Sequence, residues 1–155
     1  MKAKTARDVM EPALVVAPEL PIAELARLLV ERDTDGVCVV EGGQLVGVAT
    51  AMDLVYREKE IHGPAVVAVW DLVLPLGLGR AQREAEKIVA VYVRGLMTRE
   101  VVTVSADAPL TEVADRMVVD HLSLVPVLEG GRLVGAVTRH SVVRAILRQV
   151  AGLPE

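Results

Sequence analysis

Two stretches decide the reading of this chain: Leu45-Val46-Gly47-Val48-Ala49-Thr50-Ala51-Met52-Asp53 and, 88 residues later, Leu133-Val134-Gly135-Ala136-Val137-Thr138-Arg139-His140-Ser141. Both pass from Leu-Val through a glycine to a threonine, and among their differences is the last position, where an aspartate faces a serine. Working outward at the same shift, Pro21–Thr50 laid over Pro109–Thr138 matches at 13 of 30 positions, among them the Glu-Gly-Gly turn and the closing threonine. Farther upstream the shift becomes 87, which aligns Val9-Met10 with Leu96-Met97 and leaves one extra residue ahead of the first strand of the second copy. The chain is a duplication.

Each copy has one rhythm. A β-branched run (Leu14-Val15-Val16; Val101-Val102-Thr103-Val104) precedes a proline suited to the first turn of a helix (Pro21; Pro109). Ile22, Leu25, Ala26 and Leu29, and in the second copy Leu110, Val113, Ala114 and Met117, recur at offsets 0, 3, 4 and 7, the apolar face of a helix. Val37–Val40 and Leu45–Val48, like Val125–Leu128 and Leu133–Val137, flank a Gly-Gly pair and read as β-hairpins. A second helix follows, near Ala51–Glu60 and near Arg139–Val150. The unit is β-α-β-β-α. A unit of about 55 residues buries too little surface to stand alone, so the two are expected to pack together as one pseudo-symmetric module.

Composition narrows the function. The chain has 155 residues, 52% apolar, with Trp70, Tyr56 and Tyr92 as its aromatic residues, so any bound base meets aliphatic walls. A formal net charge of −4 and the scarcity of aromatics argue against a nucleic-acid partner, because such binding rests on clustered cations and stacking rings. The longest apolar run, Ala65 to Gly79, is interrupted by Asp71 and falls short of the roughly 20 residues that cross a bilayer. With one cysteine and no secretory pattern at the start, the expected setting is the cytoplasm, without a membrane partner. The absence of Asn, with Arg and Glu favoured among the charges, suits either a thermophilic source or a GC-rich genome.

Taken in order and twice over, three features carry a family resemblance. They are Asp8-Val9-Met10 with Leu96-Met97-Thr98, Val37–Val40 with His121–Val127, and Gly47–Asp53 with Gly135–Ser141. The chain resembles the cystathionine-beta-synthase (CBS) domain family, whose members occur as tandem pairs. The resemblance implies an α/β (α+β) fold with repeat 1 over residues 1–60, repeat 2 over 93–155 and an inter-repeat insertion over 61–92. In the insertion, Pro64, Pro75, Gly77 and Gly79 punctuate an apolar stretch, and Arg80–Val93 reads as a helix. It also implies an adenosine-containing ligand (AMP, ADP, ATP or S-adenosylmethionine) in a cleft between repeats, sensing rather than catalysis, a homodimer and an effector protein that the sequence does not name.

The residues themselves supply a reason for the signature. At a helix start, Thr50 and Asp53 face one side; the free N–H groups suit a phosphate, and the carboxylate can accept from both hydroxyls of a ribose. The same spacing also describes a capping box, in which threonine and acid satisfy the helix's own N–H groups. Ser141 lacks the charge, a difference of about 1.5–3 kcal/mol for a charge-assisted bond, so Thr50 and Asp53 are expected to form the preferred site and Thr138 with Ser141 a weaker one. Arg139, His140 and Arg144 are candidates for phosphate or for a solvated helix face. His121 is a candidate cleft residue or an ordinary loop histidine. Val15, Val16, Val37 and Val39 are candidates for contact with adenine, and are core residues on any reading.

Against an enzyme stand three facts. His62, His121 and His140 lie 59 and 19 residues apart without metal-ligand spacing; Cys38 falls in an apolar strand; and Gly42-Gly43 and Gly130-Gly131 belong to hairpin turns, not phosphate loops. No catalytic cofactor or metal is expected. The alternative to a sensor is a structural or oligomerisation module that binds no ligand.

Overall fold

The structure, a computed structural model, describes residues 4–62 and 92–152. The helix expected over Arg80–Val93 lies, but for Tyr92 and Val93, outside the described residues, as does nearly all of the 61–92 insertion. In chain order the elements are α1 (Ala6–Val9), β1 (Val15–Val16), α2 (Ile22–Glu31), β2 (Gly36–Glu41), β3 (Gln44–Thr50) and α3 (Ala51–His62). After a 3-10 turn at Val93–Gly95 come β4 (Val104–Ser105), α4 (Leu110–Val119), β5 (Leu124–Glu129), β6 (Arg132–Thr138) and α5 (Arg139–Ala151). They form two three-stranded sheets, β1-β2-β3 and β4-β5-β6, in which the first pairing is parallel and the second antiparallel.

The β-α-β-β-α rhythm therefore appears twice, in matching register. Each hairpin turns on two glycines with positive φ, +57° and +77° at Gly42-Gly43 and again at Gly130-Gly131, the type I′ geometry whose twist suits the flanking strands. The first strands are shorter than the β-branched runs. Only Val104 and Ser105 pair with β5, while Val101 packs between the sheets without joining the ladder. Pro21 and Pro109 stand one residue ahead of their helices, at the cap rather than in the first turn. Leu25 and Leu29 of α2, and Val113 and Met117 of α4, are the buried residues of their helices.

Packing does not follow the order of the chain. Residues 4–11 lead into the first copy but are built into the second: Ala6 and Arg7 donate backbone N–H groups to Ala108 and Ala106, and Glu11 exchanges two backbone bonds with Ala136. Ala6 and Val9 accordingly lie in one core with Val104, Val113, Val125 and Val137. The reciprocal holds for the lead-in of the second copy. Val93 and Arg94 donate to Leu20 and Pro18, Thr98 and Val48 exchange two bonds, and Val93 and Met97 share a core with Leu25, Val37 and Val39. Each sheet is completed by the other repeat's arm.

Arginines fasten both arms. Arg7 reaches Asp107 (3.6 Å) and Glu129 (3.0 Å), and Arg94 reaches Glu19 and Glu41, the latter at 2.9 Å. A third, smaller cluster of Cys38, Val48, Leu124 and Ala136 joins the two sheets at the centre. Burial there pushes the Cys38 thiol up to about 12, which leaves it without the thiolate a nucleophile needs.

Candidate functional site

Both threonines that close the hairpins cap the helix that follows. The Thr50 N–H donates to Asp53 Oδ2 at 2.8 Å, the Thr50 hydroxyl to the same oxygen at 3.1 Å, and the Asp53 N–H returns to Thr50 Oγ1 at 3.4 Å. In the second repeat, the Thr138 N–H donates to Ser141 Oγ at 2.9 Å and the Ser141 N–H to Thr138 Oγ1 at 3.1 Å. Serine thus does for α5 what aspartate does for α3. The spacing has a further instance, overlooked in the motif reading. Thr5 and Asp8 open α1 with the same bonds, 2.8 and 3.0 Å to Asp8 Oδ2. Capping is the common denominator of all three.

A cleft of about 560 Å³ opens between the repeats on the Thr138 side. Repeat 1 contributes the segment 11–14 and the loop 32–35 after α2; repeat 2 contributes Thr138, His140 and Arg144. Two polar contacts span it: Arg144 Nη2 to Glu11 Oε1 at 2.8 Å, and His140 Nδ1 to Asp35 Oδ2 at 3.8 Å. Behind them stands the N-terminus of α5, a local positive potential.

The candidates named from sequence divide on this geometry. Thr138, His140 and Arg144 line the cleft together; Thr50 and Asp53 do not line it. Ser141, only 4% exposed, lies instead beside a second hollow of about 300 Å³, which also carries Lys4, Asp8 and Arg148. The Arg139 guanidinium turns back to the Ser123 hydroxyl. His121 is exposed, in the left-handed region at φ +53°, at the end of α4 and outside this cleft. Among the valines, Val16, Val37 and Val39 are core residues, Val15 is half exposed, and none lines the cleft; its apolar wall is Pro12, Ala13 and Leu14.

Sequence reasoning missed Glu11, Arg32, Asp33 and Asp35. The signal for the last three was available: shifting the loop that contains His121 back by 88 residues lands on Asp33, which has a similar positive φ of +47°. Glu11 carries no such signal, because its place at the cleft depends on the exchanged arm. Among the described residues no group of three or more His, Cys, Asp or Glu stands close enough to hold a metal ion, and no helix is long and apolar enough to cross a membrane.

Two β-α-β-β-α units that complete each other's sheets and share a cleft define a tandem-repeat module. The CBS domain profile matches residues 6–60 and 93–148, and the chain belongs to the CBS domain family. Solved structures agree along nearly the whole length. CBSX2, solved in complex with AMP, is 27% identical with a TM-score of 0.71, over 94% of this chain and 98% of that one. A conserved protein from Pyrococcus horikoshii is 25% identical (TM-score 0.68; 94% and 95% covered). The CBS domain pair of protein MJ0100, solved with 5′-methylthioadenosine and S-adenosyl-L-methionine, is 22% identical (TM-score 0.68; 96% and 99% covered) and shares the fold.

Proposed function

We propose that this protein is a regulatory module that binds an adenosine-containing ligand (AMP, ADP, ATP or S-adenosylmethionine) in the cleft between its repeats. The observation that carries the reading is the cleft itself: about 560 Å³, the size of a small-molecule site, walled by both repeats. A ligand held there touches Arg32 and Asp33 on one side and Thr138 and His140 on the other, so its affinity depends on how the repeats are set against each other. That dependence is what a signal requires. The AMP bound to CBSX2 supports the ligand class.

In this reading Thr138, His140 and Arg144 face the ligand, and Thr50 with Asp53 forms the ribose grip of the pseudo-symmetric position. Both cap bonds that the Asp53 carboxylate accepts fall on Oδ2, which leaves Oδ1 for a sugar hydroxyl. The output goes through a second copy or an effector protein, and the module turns over no substrate. Val55 on α3 and Val143, Ile146 and Leu147 on α5 are more than half exposed, which supports self-association through these helices. Leu54 and Val142, by contrast, are packed against the cores of their own repeats.

A thermal-shift panel of AMP, ATP, S-adenosylmethionine and NAD tests the proposal. A rise in melting temperature with an adenosyl ligand is expected. No shift with any of them overturns it in favour of a structural module.

A further inference from the structure

The Glu11–Arg144 ion pair and the His140–Asp35 contact across the cleft have no counterpart of like chemistry at the equivalent positions of the pseudo-symmetric side. The positions equivalent to Glu11 and Arg144 are Thr98 and Tyr56, and those equivalent to Asp35 and His140 are Ser123 and Met52. The backbone around them is duplicated all the same. Glu11 exchanges bonds with Ala136 at 2.9 and 3.0 Å, and Thr98 exchanges the same bonds with Val48 at 2.8 and 3.0 Å. Folding therefore needs the backbone contact and not the charges, since one half of the molecule does without them.

What the charges do follows from their sum and position. The cleft holds three carboxylates, Glu11, Asp33 and Asp35, against two guanidiniums, Arg32 and Arg144, with His140 beside Asp35. Arg144, the cation beside the first turn of α5, is held by Glu11 at 2.8 Å. The same pair stands between the cleft and the second hollow, where Lys4 and Arg148 lie. A polyphosphate in the cleft thus meets a surplus of carboxylate, and the guanidinium that Arg144 offers there is already paired with Glu11. A ligand tail without net negative charge meets no such barrier. Specificity here is built by repulsion as well as by contact.

We propose that Glu11 is a specificity-determining residue of this cleft: by holding Arg144 it makes the site select adenosyl ligands whose 5′ substituent is uncharged or cationic, a thioether or a sulfonium, over those that carry a polyphosphate. This rests on the adenosyl-binding reading above.

Calorimetric titrations of the full chain and of Glu11→Gln with S-adenosylmethionine, 5′-methylthioadenosine and ATP test it. The wild type is expected to bind the sulfonium at least about tenfold more tightly than ATP, and Glu11→Gln to bind ATP roughly three- to tenfold more tightly than the wild type while its hold on the sulfonium weakens, as removal of one nearby charge implies. Glutamine keeps the backbone bonds to Ala136, and the apo melting temperature reports that the variant is folded. Equal or tighter binding of ATP by the wild type, or an unchanged ratio in Glu11→Gln, overturns the inference and leaves the adenosyl reading standing. Silence of the wild type towards all three compounds overturns both.

Discussion

The sulfur of Met97 lies 2.8 Å from the point at which a Cβ on Gly47 would stand, and the sulfur of Met10 lies at the same distance from the corresponding point on Gly135. A carbonyl shuts each position from another side, that of Thr98 at 3.0 Å and that of Glu11 at 2.9 Å. The two Leu-Val-Gly triplets are thus glycine sites because the arm of the other repeat crosses them at close quarters. Overpacking such a contact costs about 1–3 kcal/mol, and removing the methionine about 2–5 kcal/mol, because Met97 is nearly buried. Urea denaturation is expected to place Gly47→Ala and Met97→Ala in these ranges. The double variant is expected to cost less than the sum of the two single variants, since the new methyl group enters the space left by the sulfur.

Asp53 and Ser141 make the same backbone cap with different charge, which separates stability from binding. Asp53→Ser reproduces the cap of the second repeat, so its stability is expected within about 0.5 kcal/mol of wild type, whereas Asp53→Ala loses about 0.5–2 kcal/mol. If the carboxylate grips a ribose, both variants weaken the Thr50 position roughly ten- to a hundredfold. Calorimetry beside thermal melting distinguishes the two roles. Full nucleotide affinity in Asp53→Ser assigns the aspartate to capping alone.

The arms are fastened by charges, and acid should loosen them. Hydrogen bonds from Arg94 and Arg7 hold the carboxyls of Glu19 and Glu129 below the ordinary value of 4.5. A depressed carboxyl binds its proton more tightly in the unfolded chain, so its contribution is full above about pH 4.5 and is lost as pH falls through the lowered values. The melting temperature is expected to drop between pH 5 and pH 3, and to drop less in an Arg7→Met/Arg94→Met variant. Both groups are exposed, so the difference is small and shrinks further in salt.

Cys38 is fully buried between the sheets with its thiol pushed up to about 12. Ellman's reagent at pH 8 is expected to leave it untouched in the native protein and to titrate one thiol in denaturant. Rapid labelling of the folded protein would mean that the two sheets part readily at their centre.

Self-association through α3 and α5 predicts that Val55→Glu with Ile146→Glu converts a dimer to a monomer in light scattering, with the melting temperature of the monomer near that of wild type. Both side chains are more than half exposed, so a charge there disturbs an interface and not the core. A wild type that is already monomeric at micromolar concentration would rule the interface out.

Much of this molecule is determined locally. The Gly-Gly hairpins, the helices after Pro21 and Pro109 and the caps at Thr50 and Thr138 follow from turn chemistry and apolar periodicity within a dozen residues, and the duplication makes each half a check on the other. The family follows from their order. The chain alone does not reveal that residues 4–11 belong to the second core and 93–98 to the first, because those backbone bonds join segments far apart along the chain, such as Ala6 with Ala108 and Thr98 with Val48. Nor does it say which side chains of the other repeat gather around each threonine. Thr50 and Thr138 close matching hairpins and cap matching helices, yet it is Thr138 that stands where Glu11, carried across by the exchanged arm, meets Arg144. Local spacing determined the parts and their caps. The tertiary structure decided which part of the other repeat each one faces, since a contact between distant segments depends on how whole sheets pack and leaves no trace in the spacing of either segment.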